Sequence, residues 1–349
     1  MTSKLQAPKI DIKSFLSESE GFPLIDVRSP AEFALGHIPD AQNIPLFDDH
    51  ERAEIGTLYK MRGKEEAVER GLEIVSPKLA LFVRAAKQIS AEKKVFVYCW
   101  RGGMRSNSFA WLMNTAGLNS TVLEGGYKTF RNHVLSYFDN KFELVLIGGP
   151  TGSGKTAILK ELEKKGEQIL DLEKIARHKG SAFGSVNELP QLPQQQFEHG
   201  LFLELKKLDL TKTIWTEDEA FSIGRNKIPF ALWKQMKQAP ILKIEVPFQV
   251  RVNRLVEDYR TTDTELLKKP ILAIQKRLGG LATKEALEFL EKGELDKVAA
   301  LALVYYDEAY QHDHNKREMK NIFLVETETG DPLENATKIL QMKKSLSIS

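Results

Sequence analysis

The stretch Gly149-Pro150-Thr151-Gly152-Ser153-Gly154-Lys155-Thr156 (GPTGSGKT) fits the phosphate-loop pattern G-x-x-x-x-G-K-[ST] at every fixed position. An apolar run at 142–147 predicts a strand before it, and residues 155–164 predict a helix after it. Glycines let such a loop point successive N–H groups at one anion, and the helix N-terminus adds partial positive charge. The residues that we predict to bind phosphate are Gly149, Thr151, Gly152, Ser153, Gly154, Lys155 and Thr156.

Acidic residues after the next strands are candidates for holding a metal or the substrate. Asp171 closes a predicted strand at 168–171, and Glu217 and Asp218 follow another at 213–216. The Thr156 hydroxyl is a further candidate Mg²⁺ ligand. A solvated acidic loop is the alternative, and the sequence leaves both open. Mg²⁺ at the phosphate loop is the one cofactor that we expect.

A second glycine-rich loop carries the single cysteine of the chain, in Cys99-Trp100-Arg101-Gly102-Gly103-Met104-Arg105-Ser106 (CWRGGMRS). It follows an apolar strand at 95–98 and precedes a predicted helix at 107–116. Backbone N–H groups and nearby arginines favour thiolate over thiol, and so we expect a lowered cysteine pKa. The residues that we predict to be catalytic are Cys99, Arg101, Gly102, Gly103 and Arg105.

The order of the predicted elements indicates an α/β chain with two domains. Strands alternate with helices through the first part, as in a parallel sheet, and a new cycle begins near residue 140. From about residue 250 the pattern is mostly helical and charged. We predict a first domain at 1–138 and a second, with a helical C-terminal part, at 139–349.

Composition narrows the class of protein. The 349 residues include 50 basic and 48 acidic side chains, and a net charge of +2 does not by itself indicate a nucleic-acid-binding protein. One cysteine excludes an internal disulfide framework and a cysteine-based zinc site. Without a long apolar run or the apolar core of a signal peptide, we expect a cytoplasmic protein with no membrane contact.

The residues around the cysteine resemble the rhodanese fold. The resemblance rests on LIDVRSPAEFALGHIPDAQNIPL (24–46), the CWRGGMRS loop and LEGGYKTFR (123–131). It implies an N-terminal rhodanese-like parallel sheet, followed by a P-loop NTPase-like α/β domain. The five residues between Cys99 and Arg105 resemble the longer loop of rhodanese-like phosphatases, which has room for a tetrahedral group.

Several strings along the chain together resemble the tRNA 2-selenouridine synthase family. They are GTLYKMRGKEEAVERGL (56–72), DLEKIARHKGSAFG (171–184), LPQLPQQQFE (189–198), IWTEDEAFSIG (214–224) and VPFQVRVNRLVEDY (246–259), beside the two loops. The resemblance implies geranylation of 2-thiouridine at the tRNA wobble position from geranyl diphosphate. Selenium from selenophosphate then replaces the geranylated sulfur, with Cys99 as the essential cysteine.

The same resemblance implies the partners. They are tRNAs of the Lys, Glu and Gln type, selenophosphate, geranyl diphosphate and a transient contact with selenophosphate synthetase. With no second thiol in the chain, selenium held on Cys99 would pass to an outside acceptor. Two alternatives stay open: a rhodanese-like phosphatase or arsenate reductase fused to a P-loop kinase, and a non-catalytic nucleotide-binding regulator.

Several other residues are given structural interpretations. We predict that His37 stabilises a turn and that Asp26 pairs with Arg28 beneath the cysteine loop. Trp111, Trp215 and Trp233 are predicted to be core residues.

Overall fold

The chain folds into two compact units, as seen in a computed structural model that describes residues 6–314 and 321–346. The first unit runs to Tyr137 and also contains Pro193–His199, and the second contains Phe138–Leu192 and the residues from Gly200 onward. The domains 1–138 and 139–349 remain a prediction. The structure adds that a short segment from the later half of the chain packs with the first unit.

The first unit is built on a parallel five-stranded sheet in the order β1-β5-β4-β2-β3. Its central strand carries Val95, Phe96, Val97 and Tyr98, all fully buried, as expected for a parallel sheet covered on both faces. The strands are β1 (Lys9–Ile10), β2 (Leu24–Asp26), β3 (Gln42–Asn43), β4 (Lys94–Tyr98) and β5 (Asn119–Leu123).

Seven helices and a 3₁₀ turn accompany this sheet in the described part of the first unit before Tyr137. They are α1 (Ile12–Glu18), α2 (Pro30–Leu35), α3 (Asp49–Arg62), α4 (Lys64–Val75), the 3₁₀ turn Ser76–Lys78, α5 (Leu79–Ile89), α6 (Met104–Thr115) and α7 (Gly126–Tyr137). The predicted start of α6 at residue 107 was wrong. Gly103 caps the helix and its carbonyl accepts from Asn107 N at 3.1 Å, so Arg105 lies in the first turn.

The second unit is built on another parallel five-stranded sheet, in the order β12-β11-β6-β8-β7. Its core joins Val145 and Ile147 of the central strand to Ile158 and Leu162 of the following helix. The strands of this sheet are β6 (Leu144–Gly148), β7 (Gln168–Leu170), β8 (Ile214–Glu217), β11 (Ile241–Glu245) and β12 (Ile322–Glu326), and a small antiparallel pair is formed by β9 (Ser222–Ile223) and β10 (Asn226–Lys227).

The helices of the later half confirm the predicted helical C-terminal part. They are α8 (Lys155–Lys164), α9 (Leu172–Ala176), α10 (Gln194–Lys206), α11 (Phe230–Gln238), α12 (Phe248–Tyr259), α13 (Thr264–Ala273), α14 (Gln275–Leu278), α15 (Gly280–Glu291), α16 (Leu295–His314) and α17 (Pro332–Ser345). The sequence analysis missed strand β12, which pairs in parallel with β11 over five residues.

The prediction that three tryptophans are core residues is confirmed for only some of them. Trp215 is fully buried, but Trp233 is half-buried and Trp111 is 51% exposed. The prediction of a core position for Trp111 was therefore wrong, because the apolar spacing of α6 does not direct this side chain inward. Among the described residues, no helix is both long and apolar enough to cross a membrane.

Candidate functional sites

The cysteine lies at the carboxyl end of β4, where ligands bind in open α/β sheets. Its side chain is buried, and Sγ lies 3.2 Å from the hydroxyl oxygen of Ser106 in the first turn of α6. The same hydroxyl also donates to the carbonyl oxygen of Gly103 at 3.2 Å. The thiol is thus held by a polar neighbour from its own loop.

Glycines let the cysteine loop pack closely against the turn between β5 and α7. Gly102 has φ +61°, and a Cβ there would lie 2.7 Å from the carbonyl oxygen of Leu123. A Cβ on Gly126 would overlap the carbonyl oxygen of Cys99. The Cys99 carbonyl instead accepts from Tyr127 N at 2.8 Å. The turn Gly125-Gly126-Tyr127 therefore fixes the backbone position of Cys99.

The two arginines of the loop have different surroundings. Arg101 is exposed, whereas Arg105 is partly buried and donates to the Glu32 carboxylate at 2.6 and 3.3 Å. Arg52 lies 3.7 Å from the same carboxylate. Burial raises the pKa of Glu32, but the hydrogen bond and charge of Arg105 outweigh it and the net pKa is lowered. Glu32 is thus a site residue that the sequence analysis missed.

The predicted pair beneath the loop is confirmed. Asp26 and Arg28 are fully buried, with Nη2 of Arg28 2.6 Å from Oδ2 of Asp26. The Arg28 guanidinium also lies 3.9 Å from the ring centroid of Tyr127. His37 stacks on Phe33 at 3.8 Å between ring centroids, consistent with its predicted structural role.

The segment 193–199 provides buried polar contacts within the first unit. The Tyr127 hydroxyl donates to Gln195 at 2.7 Å, and the partly buried Arg131 pairs with the buried Glu198. Burial lowers the pKa of His199 to about 3, with the charge of Arg131 acting in the same direction. The ring is therefore neutral at physiological pH, and His199 contributes packing to this unit but no positive charge.

The phosphate loop joins β6 to α8 in the second unit, with the predicted strand and helix on either side. Gly152 and Gly154 adopt φ of +80° and +83°, which side chains with a Cβ rarely adopt. Nζ of Lys155 donates to the Gly149 carbonyl at 3.2 Å. The hydroxyl of Ser153 is buried and has no hydrogen-bond partner. All seven predicted phosphate-binding residues are thus brought together in one loop.

The phosphate loop opens into a cavity of about 1030 Å³ within the second unit. Its wall includes acidic, basic and aromatic side chains. The acidic residues are Asp171, Glu173, Glu188, Asp218, Glu219 and Asp258, the basic ones are Lys155, Lys160, Lys174, Lys179, Lys237 and Arg254, and the aromatic ones are Phe221, Trp233, Tyr259, Tyr305, Tyr306 and Tyr310. The phosphate loop is therefore continuous with a cavity that has aromatic walls.

The predicted acidic residues lie together near the phosphate loop. Asp171 and Asp218 line the cavity, while Glu217 is buried and accepts from Leu172 N at 3.1 Å. Burial raises the pKa of Glu217 well above its ordinary value, and the charge of Asp171 adds to this effect. Its Oε1 is buried without a hydrogen-bond partner. Burial likewise raises the pKa of Asp171.

Two further carboxylates, Glu173 and Glu219, belong to this group. Glu173 accepts from the Thr156 hydroxyl at 2.7 Å. Burial raises the pKa of Glu219 to about 7, opposed by the charge of Lys155. In the described part of the chain, no three acidic, histidine or cysteine side chains converge tightly enough to hold a metal ion alone. Mg²⁺ here would therefore need oxygens from a bound phosphate.

Helix α12 brings two arginines to the phosphate loop. Arg251 pairs with Asp307 through bonds of 2.8 and 2.7 Å and so has a structural partner. Arg254 donates to the carbonyl of Gly152 at 3.4 Å and to that of Gly330. Burial lowers the pKa of Arg254. Arg251 is buried and Arg254 is partly buried, so neither side chain lies on a fully solvated helix face.

Known proteins resemble both halves of the chain. The family described as "tRNA 2-selenouridine synthase AAA domain" matches residues 142–331, and "Rhodanese-like domain" matches residues 11–133. The tRNA 2-selenouridine synthase of Bdellovibrio bacteriovorus is 36% identical over 353 residues, covering 87% of this chain and 92% of that protein. The one of Nitrosomonas europaea is 36% identical over 287 residues, covering 79% and 74%.

A solved structure was also found to be similar. It is the N-terminal domain of a putative ATP/GTP binding protein from Clostridium difficile 630, which is 41% identical and covers 36% of this chain and 98% of that one, with a TM-score of 0.33.

The fold defines a class of protein in which a rhodanese-like domain is followed by a P-loop domain. The chain covers most of its relatives' length, and both domain matches fall in the same order along it. It belongs to the tRNA 2-selenouridine synthase family.

Proposed function

We propose that this chain converts 2-thiouridine at the wobble position of tRNA into 2-selenouridine. The relatives that match nearly its full length carry the name of this activity. The single observation that carries the proposal is that one chain contains both a buried thiol after β4 and a cavity at the phosphate loop after β6, each in its own domain. The two sites suit a reaction in two chemical steps.

In the first step the P-loop domain geranylates the sulfur. The sulfur of 2-thiouridine attacks C1 of geranyl diphosphate, the C1–O bond breaks, diphosphate leaves with the bonding electrons, and the N3 proton of the base passes to water. Loop N–H groups and Lys155 suit the leaving anion, because fixed donors stabilise charge that develops in the transition state. The aromatic wall with Tyr305 and Tyr306 suits an apolar chain. A geranylated sulfur then leaves more readily than a thiocarbonyl sulfur.

Mg²⁺ fits the residues next to the loop. This ion prefers oxygen ligands and is usually held by one or two carboxylates together with substrate phosphates. The Thr156 hydroxyl, Asp171 and Glu173 supply such oxygens, and Glu217 Oε1 is a buried oxygen without a hydrogen-bond partner. When bound, the ion would neutralise part of the diphosphate charge.

In the second step selenium replaces the geranylated sulfur. A C–Se bond forms at C2 of the base, the C–S bond breaks, geranylthiolate leaves, N3 regains a proton from water, and water takes the phosphoryl group of selenophosphate. We assign this step to Cys99, the one thiol of the chain, with Arg105 orienting the anionic donor. The tRNAs of the Lys, Glu and Gln type and a transient contact with selenophosphate synthetase remain predictions.

One incubation tests the proposal. The protein is mixed with 2-thiouridine tRNA, geranyl diphosphate and selenophosphate, and the digested nucleosides are analysed by mass spectrometry. We expect geranylated 2-thiouridine when selenophosphate is omitted and 2-selenouridine when all three are present. Unchanged 2-thiouridine in every mixture would refute the proposal. A strict requirement for ATP would instead favour the phosphatase or reductase fused to a kinase.

A further inference from the structure

The segment from 220 to 244 has an unusual charge. It contains five basic residues and no acidic one, although acidic and basic residues are nearly equal in number over the whole chain. The basic residues are Arg225, Lys227, Lys234, Lys237 and Lys243. The first four lie on or beside the β9–β10 hairpin and α11. This part of the second unit therefore carries a local excess of positive charge that the net charge conceals.

Aromatic rings are interleaved with these cations and lead from the surface into the cavity. The ring of Phe230 is 68% exposed, and its centroid lies 6.3 Å from that of the half-buried Trp233. The Trp233 ring in turn lies 5.2 Å from Phe221. Trp233 and Phe221 both line the cavity that contains the phosphate loop. The three rings thus form a continuous aromatic path that begins at solvent.

Helical spacing places the rings and the cations on one face. Phe230, Trp233, Lys234 and Lys237 are three, four and seven positions apart, so they lie along the same side of α11. Nζ of Lys237 lies 5.6 Å from the Trp233 ring. Proteins bind single-stranded nucleic acid with this combination, because every base can stack on an aromatic ring and lysines follow the phosphates.

We propose that this surface, here called the α11 face (Phe221, Phe230, Trp233, Lys234 and Lys237), binds the anticodon loop of the tRNA. The inference rests on the proposed function. A wobble base lies in a single-stranded loop, and it must leave its stack to reach a donor held in a cavity. Bases flanking it stack on Phe230 and Trp233, and the target base follows the aromatic path toward the phosphate loop. Lys234 and Lys237 contact the RNA backbone.

The test measures binding of a fluorescent anticodon stem-loop containing 2-thiouridine by anisotropy, at several salt concentrations, with the full-length protein. Phe230→Ala should weaken binding about tenfold with the salt dependence unchanged, because stacking is not ionic. Lys234→Ala should weaken binding and reduce the slope of log K against log salt by about 0.7, the value for one contact to single-stranded phosphate. Phe230→Tyr should bind like the parent.

Two control variants and a second ligand separate the possible outcomes. Trp111→Ala and Lys284→Ala remove an exposed ring and an exposed cation elsewhere and should bind like the parent. Geranyl diphosphate binding, measured by calorimetry, should be unchanged in Phe230→Ala, since Phe230 is outside the cavity lining. Parent-like RNA binding by Phe230→Ala and Lys234→Ala, or equal loss in the controls, would overturn the inference. If the parent protein does not bind the RNA, the proposed function fails and this inference with it.

Discussion

Arg105 of the cysteine loop is paired with Glu32 of α2, and Nη1 of the arginine lies 2.6 Å from Oε2 of the carboxylate. The two residues are 73 positions apart in sequence. Glu32 also accepts from Ser29 N and so caps the helix on which it lies. The arginine predicted to meet the incoming anion is therefore positioned by a carboxylate that is itself fixed by a capping box.

Arg105→Lys should lose much of the selenium-transfer activity while the fold persists. A planar guanidinium can hold two oxygens at once, which an ammonium cannot do in the same geometry. The rate of 2-selenouridine formation from geranylated tRNA and the melting temperature should be measured together. Parent-like activity would mean that Arg105 contributes only background charge.

The Glu32–Arg105 pair predicts a pH dependence of stability. Because the folded-state pKa of Glu32 is below its ordinary value of 4.5, its contribution is fully present above that pH and is lost as the pH falls through the folded pKa. Glu32→Gln should therefore lower the melting temperature at pH 7, and the difference from the parent should shrink towards pH 3. Glu66→Gln, from an exposed pair with Arg62, should show little effect at either pH. A pH-independent difference for Glu32→Gln would contradict this assignment.

Cys99→Ala should abolish selenium transfer and leave geranylation intact, because the first step needs no thiol on the enzyme. Cys99→Ser should behave in the same way, although its hydroxyl can keep the contact with Ser106. Both nucleosides are measured by mass spectrometry after incubation with each donor. Retained 2-selenouridine formation would remove Cys99 from the mechanism.

Lys155→Ala should block geranylation, because the departing diphosphate loses the cation of the phosphate loop. Supplied with tRNA that is already geranylated, the same variant should still exchange selenium at least in part. Lys164→Ala, at the exposed end of the same helix, is the matched control and should act like the parent. Normal geranylation by Lys155→Ala would rule out diphosphate binding in the loop.

Arg254→Ala should weaken the binding of geranyl diphosphate. Its guanidinium lies beside Gly152 and Gly154 and bonds to carbonyl oxygens, so it can turn to an anion in the loop. Charge-assisted hydrogen bonds contribute about 1.5–3 kcal/mol, roughly tenfold to a hundredfold in affinity. Calorimetry should show this loss, whereas the exposed Arg260→Ala should retain full affinity. If Arg254→Ala and Arg260→Ala bind geranyl diphosphate with equal affinity, Arg254 has only a structural role.

Local patterns predicted the parts of both sites that lie within a few residues of each other. The phosphate loop and the cysteine loop each follow a strand, and glycines fix their backbone, so eight consecutive residues carry the signal. Glu32 and Arg254 were missed because they reach their loops from 73 and 102 positions away, through tertiary packing. Trp111 was misjudged because apolar spacing identifies a helix better than it identifies the buried face.

The inclusion of residues 193–199 in the first unit has a consequence for synthesis on the ribosome. Three side chains of α7 contact this segment: the Tyr127 hydroxyl contacts Gln195, the Arg131 guanidinium contacts Glu198 and the Phe130 ring contacts His199. These contacts can form only after residues 193–199 have left the ribosome. The nascent chain must by then already include β6 and the phosphate loop. The first unit can therefore complete its folding only after part of the second unit has been synthesised. A fragment ending at Tyr137 lacks the segment Pro193–His199, which belongs to the first unit.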